Sequence, residues 1–184
     1  MDPEAELIRQ AEVVVELAGT LGVELLLIGA GALAGHGYVR LTQDLDLAGN
    51  LSLDHLRELA AVLRRSGCAV ELREPDAEDP LGGVLDIHAD FGQIQIISFE
   101  GRFPAVIRDA LGEATLRVRR DSPLRIIPLP HLVALKLYAG GLKSKADIVE
   151  VLSRNPDADL DAIGLLCDRY RLPGFTEIRR ELGR

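Results

Sequence analysis

A chain of 184 residues, 47% of them hydrophobic and 27% charged, is long enough to bury a sizeable core and too apolar to stay disordered. Its net charge of −8 argues against indiscriminate nucleic-acid binding, and its longest apolar run, "VELLLIGAGALAG", is too short and too glycine-rich to span a bilayer. The opening "MDPEAELIRQ" lacks the basic start of a signal peptide, and Cys68 and Cys167 form no ligand pattern, so a cytoplasmic chain with reduced, half-buried thiols and no membrane partner is expected.

Asp2-Pro3-Glu4 reads as a helix start, and Leu7, Ala11, Val14, Ala18 and Leu21 repeat at helical spacing, which predicts a helix over 3–20 ended by Gly22. "VELLLIG" reads as a buried strand, "AGALAGHG" as a short helix or turn, and "DLDLAG" as a short alternating strand. Leu53, Leu56, Leu59, Ala60 and Leu63 outline a second helix capped by Ser52. "CAVELRE" then reads as a strand, the acidic "PDAEDP" as a loop, and "GGVLDIHADFGQIQIISF" as a hairpin turning near Asp90–Gly92. Residues 103–111 read as a short helix and "ATLRVRR" and "LRIIPL" as strands, while everything from Pro130 onward is helical. Strands in the middle and helices at the end predict an α+β fold with a mixed sheet, divided as a core over 1–128 and a helical extension over 129–184, packed as one domain.

Asp44 and Asp46 are two residues apart on a predicted strand, so both carboxylates leave the same face. Such a pair repels itself unless a cation lies between, and Mg²⁺ or Mn²⁺ takes one or two carboxylates together with phosphate oxygens. The glycine turn at Gly29–Gly31 lets backbone N–H groups approach a phosphate closely. Charge is also uneven. Residues 101–145 carry nine Lys/Arg against three Asp/Glu, and the only three lysines of the chain, Lys136, Lys143 and Lys145, fall within ten residues. Compact ammonium groups suit phosphate sites, although a solvated helix face carries such residues too. "RVRR" reads as a solvated strand face or as a steering patch for an RNA acceptor. Gly29-Ala-Gly31-Ala-Leu-Ala34 formally fits a dinucleotide fingerprint, but only about a dozen residues separate it from Asp44, too few for the crossover helix that motif needs.

"IGAGALAGHGYVRLTQDLDL" resembles the signature of the polymerase-beta-like nucleotidyltransferase superfamily: a strand ending in Gly-Gly or Gly-Ser, about ten residues, then Asp-x-Asp on the next strand. The "HGY" with Arg40 and Thr42 resembles the branch containing abortive-infection and toxin–antitoxin nucleotidyltransferases, and "PLPHLVALKLYAGGLKSKADIVEVL" resembles its later motif. The resemblance implies the nucleotidyltransferase fold, with Asp44 and Asp46 as metal carboxylates. It places Gly29 and Ala30 at the phosphate-binding pair, Arg40 and Thr42 in the same nucleotide site, and Lys136 and Lys143 on the phosphates, with Asp147 opening the next helix. Ala30 lacks the hydroxyl of Gly-Ser, and Gln95 stands where the family has a third carboxylate. Asp86, opposite Gln95 if the hairpin turns at Asp90–Phe91, is the candidate replacement as third metal and catalytic residue, with His88 on the same face. His36 and His88 otherwise read as surface or hydrogen-bonded residues.

The implied activity is metal-dependent transfer of a nucleoside monophosphate from a nucleoside triphosphate to an RNA or protein acceptor, beside a cognate toxin or antitoxin. The alternative is a catalytically degenerate member that binds nucleotides or acts as an antitoxin-like partner.

Overall fold

The protein is described here by a computed structural model covering residues 3–40, 42, 44–75, 82–89, 92–101 and 103–183. The predicted cap Asp2, most of the acidic loop at 75–80 and the turn residues Asp90 and Phe91 lie outside the described residues.

Helix α1 (Pro3–Thr20) buries Leu7, Ala11, Val14 and Ala18, the stripe that the periodicity predicts. The apolar run that follows pairs only over β1 (Leu26–Leu27), because helix α2 (Gly29–Gly35) begins two residues later. Val23 and Leu25 are nonetheless buried, so hydrophobicity there records burial rather than strand pairing. Strand β2 (Asp44–Gly49) returns antiparallel to β1, with Leu27 opposite Leu47. This reversal is incompatible with a dinucleotide-binding unit, whose two strands run parallel around a full helix. Helix α3 (Leu53–Arg65) starts at Ser52, whose hydroxyl accepts the His55 N–H at 3.2 Å.

Strands β3 (Ala69–Arg73), β4 (Val84–Ala89) and β5 (Gly92–Ser98) form an antiparallel meander, and β5 then lies parallel to β2. After helix α4 (Pro104–Glu113), β6 (Arg125–Ile126) pairs with β1, giving a six-stranded mixed sheet in the order β3-β4-β5-β2-β1-β6.

The predicted strand "ATLRVRR" does not form. Residue Arg117 makes one isolated bridge to Arg125, and the segment turns back so that Arg119 and Ser122 close on the buried Glu12 of α1. Buried carboxylates demand charged or hydroxyl donors, and here that demand outweighs ladder formation.

Helices α5 (Leu129–Ala139), α6 (Gly141–Ser153), α7 (Leu160–Arg169) and α8 (Phe175–Glu181) complete the chain. Their apolar residues join the same buried cluster as the sheet. Polar ties reinforce this: Asn155 donates to the His36 carbonyl at 2.8 Å, and the Tyr170 hydroxyl donates to Asp109 at 2.7 Å. Phe103 stacks on Tyr138 at 4.6 Å between ring centroids and meets Tyr170 edge-on. No helix of the described residues is long and apolar enough to cross a membrane.

The alternation along β2, β4 and β5 divides the sheet into two chemistries. Leu45, Leu47, Leu85, Ile87, Ile94 and Ile96 are buried on the face that α1 and α3 cover. Asp44, Asp46, Asp86, His88, Gln93 and Gln95 share the other.

Candidate active site

Asp44 is exposed at the first position of β2, and Asp46 is half-buried two residues along the same face. Thr42 sits just before them. Its hydroxyl donates to the Asp44 carbonyl at 3.0 Å and accepts the Asp44 N–H at 3.2 Å, so this side chain fixes the start of the strand.

Gly29 opens α2 with φ of 61°, and a Cβ there would overlap Oδ2 of Asp46. The backbone of the glycine turn therefore lies directly against the carboxylate, held by an Ile28 N–H bond to the Asp46 carbonyl at 2.9 Å. Only glycine accepts both the positive φ and the approach. The side chain of Ala30 is buried and contributes no polar group.

Helices α5 and α6 bring the later motif to the same place. Burial pushes the Asp46 pKa up and neighbouring Asp44 adds to the rise, while Lys136, Arg40 and Lys143 pull against it. The net shift is upward, with burial its leading cause. Lys136 and Lys143 differ sharply in their surroundings. Lys136 Nζ donates to Asp147 Oδ2 at 2.6 Å, and both side chains are largely enclosed, whereas Lys143 is exposed. Asp147 lies inside α6 rather than at its start, 3% exposed, and also faces Arg40 Nε at 3.6 Å. That Nε is buried and has no hydrogen-bond partner among the described residues.

Asp86 is opposite Gln95 across β4–β5, and Gln95 is opposite Asp46 across β5–β2. Asp86 and Asp46 are thus two strand spacings apart, about 10 Å between backbones. The Asp86 carboxylate is 5% exposed and fully engaged. Arg73 donates to it through Nε at 2.6 Å and through Nη2 at 3.2 Å. Gln93 and Gln95 each donate Nε2 to its Oδ1 at 2.6 Å. Burial acts to raise the Asp86 pKa, but the Arg73 guanidinium and the two amides outweigh it and hold the carboxyl below its ordinary value. Among the described residues no three His, Cys, Asp or Glu side chains come together closely enough to share a metal ion.

Of the remaining candidates, His36 donates from Nε2 to the Ile127 carbonyl at 2.8 Å and so fastens the end of α2, and His88 is exposed on the polar face. Sequence reasoning missed Arg73 and Gln93. A signal for Gln93 was present, because "QIQ" on β5 repeats the period of "DLD" on β2 and pairs with it in register, Asp44 with Gln93 and Asp46 with Gln95.

The residues present fit a hard divalent cation. Two carboxylates share one face, the missing Cβ of Gly29 leaves room for the Asp46 carboxylate, and the neighbouring side chains of β5 are neutral oxygen-bearing amides. Arg40 and Lys143 supply positive charge close enough to act on Asp46, of the kind that a phosphate chain needs.

No protein-family model matches the chain, and no curated sequence does so. Solved structures do. The antibiotic-resistance factor ANT(2'')-Ia in solution superposes with a TM-score of 0.59 at 16% identity, over 91% of this chain and 92% of its own. Its crystal structure in complex with adenylyl-2''-tobramycin gives 0.57 at 14% identity, over 90% and 97%. An antigenic nucleotidyltransferase-like protein from Paracoccidioides brasiliensis gives 0.53 at 16% identity, over 84% and 77%. With a mixed sheet that carries Asp44 and Asp46 beside a glycine turn, the chain has the nucleotidyltransferase fold.

Proposed function

We propose that the protein binds a nucleoside triphosphate together with Mg²⁺ or Mn²⁺ and transfers the nucleoside monophosphate to an acceptor hydroxyl, a new ester bond replacing the α–β phosphoanhydride bond as pyrophosphate leaves and the hydroxyl proton passes to solvent. The observation that carries this reading is the convergence of the Gly29 turn, the Asp44/Asp46 pair and the Lys136–Lys143 segment, three parts far apart in sequence, on one patch. Asp44 and Asp46 would hold the cation, whose role when bound is to neutralise triphosphate oxygens and to make the α-phosphorus more electrophilic. The backbone N–H groups of Gly29 and Ala30 and the exposed ammonium of Lys143 would meet the phosphate oxygens, with the charge of Arg40 nearby. Lys136 acts through Asp147, holding α5 to α6 so that Lys143 is presented at the right place.

The acceptor is an RNA or protein hydroxyl on this reading, and the toxin–antitoxin setting belongs to the same branch resemblance. The likeness to a structure holding adenylylated tobramycin adds small antibiotics to the acceptors worth testing. The experiment is incubation with labelled nucleoside triphosphates and a panel of RNAs, proteins and tobramycin, with Asp44→Asn beside the wild type. Label transferred by the wild type and lost in Asp44→Asn supports the reading; equal transfer by both overturns the metal assignment.

A second reading rests on Gln95. A two-ion transfer site clamps both attacking and leaving oxygens, and a neutral amide is a weaker ligand that takes no proton. A degenerate protein would bind the triphosphate with its cation, transfer nothing, and act as a nucleotide-responsive partner. Metal-dependent nucleotide binding without transfer to any acceptor, together with activity gained in Gln95→Asp, would establish it.

A further inference from the structure

Gln93 and Gln95 sit between the Asp44/Asp46 pair on β2 and the Asp86 carboxylate on β4, in register with both sides. An ionised carboxylate only accepts hydrogen bonds, so the amides that touch Asp86 present their NH₂ ends to it. Each amide is planar, and fixing its nitrogen on Asp86 turns its oxygen away from β4. Neither amide oxygen accepts a hydrogen bond from a described residue. Asp86 is itself held in place by two bonds from Arg73, so the orientation is imposed from an anchored group rather than chosen by the glutamines.

We propose that Gln95 supplies its amide oxygen as the third protein ligand of the divalent cation held by Asp44 and Asp46, and that Asp86, fixed by Arg73, is the positioning residue that orients this amide. The inference rests on the proposed function above, since it assigns a further ligand to the same site. Amide carbonyl oxygens are hard ligands suited to such cations, and neighbours that orient a ligand typically change metal affinity 10–100-fold when removed. In this arrangement the negative charge of Asp86 still reaches the site, but through a polarised amide one strand away. Gln93, oriented by the same Asp86 oxygen, faces Asp44 in register and extends the row of oriented amides.

Binding of Mn²⁺ alone to the full chain, followed by electron paramagnetic resonance of the free ion, tests this without any turnover. Melting in metal-free buffer, run in parallel, reports folding. Gln95→Met keeps the length of the side chain and removes the oxygen; it should weaken Mn²⁺ binding roughly tenfold. Asp86→Asn keeps the shape but presents its own NH₂ as well as an oxygen, so the glutamine amides lose their imposed orientation, and it should weaken Mn²⁺ binding by a similar factor. A purely structural Asp86 would lower the melting temperature and leave Mn²⁺ affinity at the wild-type value. Unchanged affinity in folded Gln95→Met overturns the ligand assignment, and unchanged affinity in folded Asp86→Asn overturns the positioning role. Asp46→Asn separates the two levels. If it abolishes Mn²⁺ binding while the other variants do not change it, this inference alone falls; if it too changes nothing, the metal-site reading beneath it falls.

Discussion

The backbone of Gly29 lies against the carboxylate of Asp46 with no room between them for a Cβ. The turn expected to meet phosphate and the side chain expected to meet metal are therefore a single unit. Gly29→Ala must place a residue at a positive φ, which costs about 1 kcal/mol, and must also push the Asp46 carboxylate aside. The expected outcome is a melting temperature lowered by only a few degrees with metal-dependent nucleotide affinity reduced at least tenfold. Calorimetric titration of a nucleoside triphosphate, with and without Mg²⁺, checks it. Affinity retained at the wild-type level would show that the Asp46 carboxylate is not needed where it stands.

Lys136 and Lys143 should behave differently when replaced by alanine. Lys143 is exposed, so Lys143→Ala should leave melting unchanged and weaken triphosphate binding far more than nucleoside binding. Lys136→Ala strips the close partner from the buried Asp147 and leaves only Arg40, 3.6 Å away. The expected loss is about 3 kcal/mol of stability, the low end for an orphaned buried charge because Arg40 remains. Paired melting and titration curves for both variants decide between this division and a shared phosphate-binding role.

His131 predicts an acid sensitivity. It is 1% exposed, and neither ring nitrogen has a hydrogen-bond partner among the described residues. Burial lowers its pKa, with Glu113 and Asp109 acting to raise it and Arg169 to lower it. The unfolded chain takes up a proton near the ordinary value of 6.5, which the folded protein accepts only at lower pH. Stability is therefore complete above about pH 6.5 and falls as the pH drops from there toward the folded pKa, by at most about 1.4 kcal/mol per pH unit for one group. His36 shifts in the same direction. Melting temperatures between pH 7.5 and 5 should fall less steeply in His131→Leu than in the wild type; parallel curves would refute the assignment.

Glu12 is a structural control far from the site in role. It is buried, bonded by Arg119 and by the Ser122 hydroxyl at 2.5 Å, which in turn accepts the Leu124 N–H at 3.1 Å. Glu12→Ala should destabilise the fold by about 2 kcal/mol and leave triphosphate affinity unchanged well below the melting temperature. A loss of affinity in the folded variant would tie this network to the site.

Much of this architecture is legible in the residues because local and long-range demands coincide. The α1 stripe, the Ser52 cap and the alternation of "DLDLAG" each state their own outcome. The length of β1 is not legible, since an apolar run records burial and says nothing of when a partner strand ends. "ATLRVRR" misleads for the opposite reason: its alternation is real, but Arg119 and Ser122 answer to Glu12, more than a hundred residues earlier. Within the site, the spacing of Asp44 and Asp46 and the glycine turn stand in the sequence. That Asp86 is enclosed by Arg73, Gln93 and Gln95 depends on the pairing of three strands at once, and no single stretch announces it.

The tie between Ile28 and Asp46 has a mechanical consequence. Because β1, α2 and β2 form one hydrogen-bonded reversal, the glycine turn and the Asp46 carboxylate cannot be drawn apart without breaking that pairing. The two lysine-bearing helices are joined differently. Between the helix bearing Lys136 and the helix bearing Lys143 the chain turns through Gly140 and Gly141, both at positive φ, 68° and 79°. The distance between Lys143 and the aspartates of β2 thus depends on the backbone at those two glycines, which the Lys136–Asp147 pair spans like a strut.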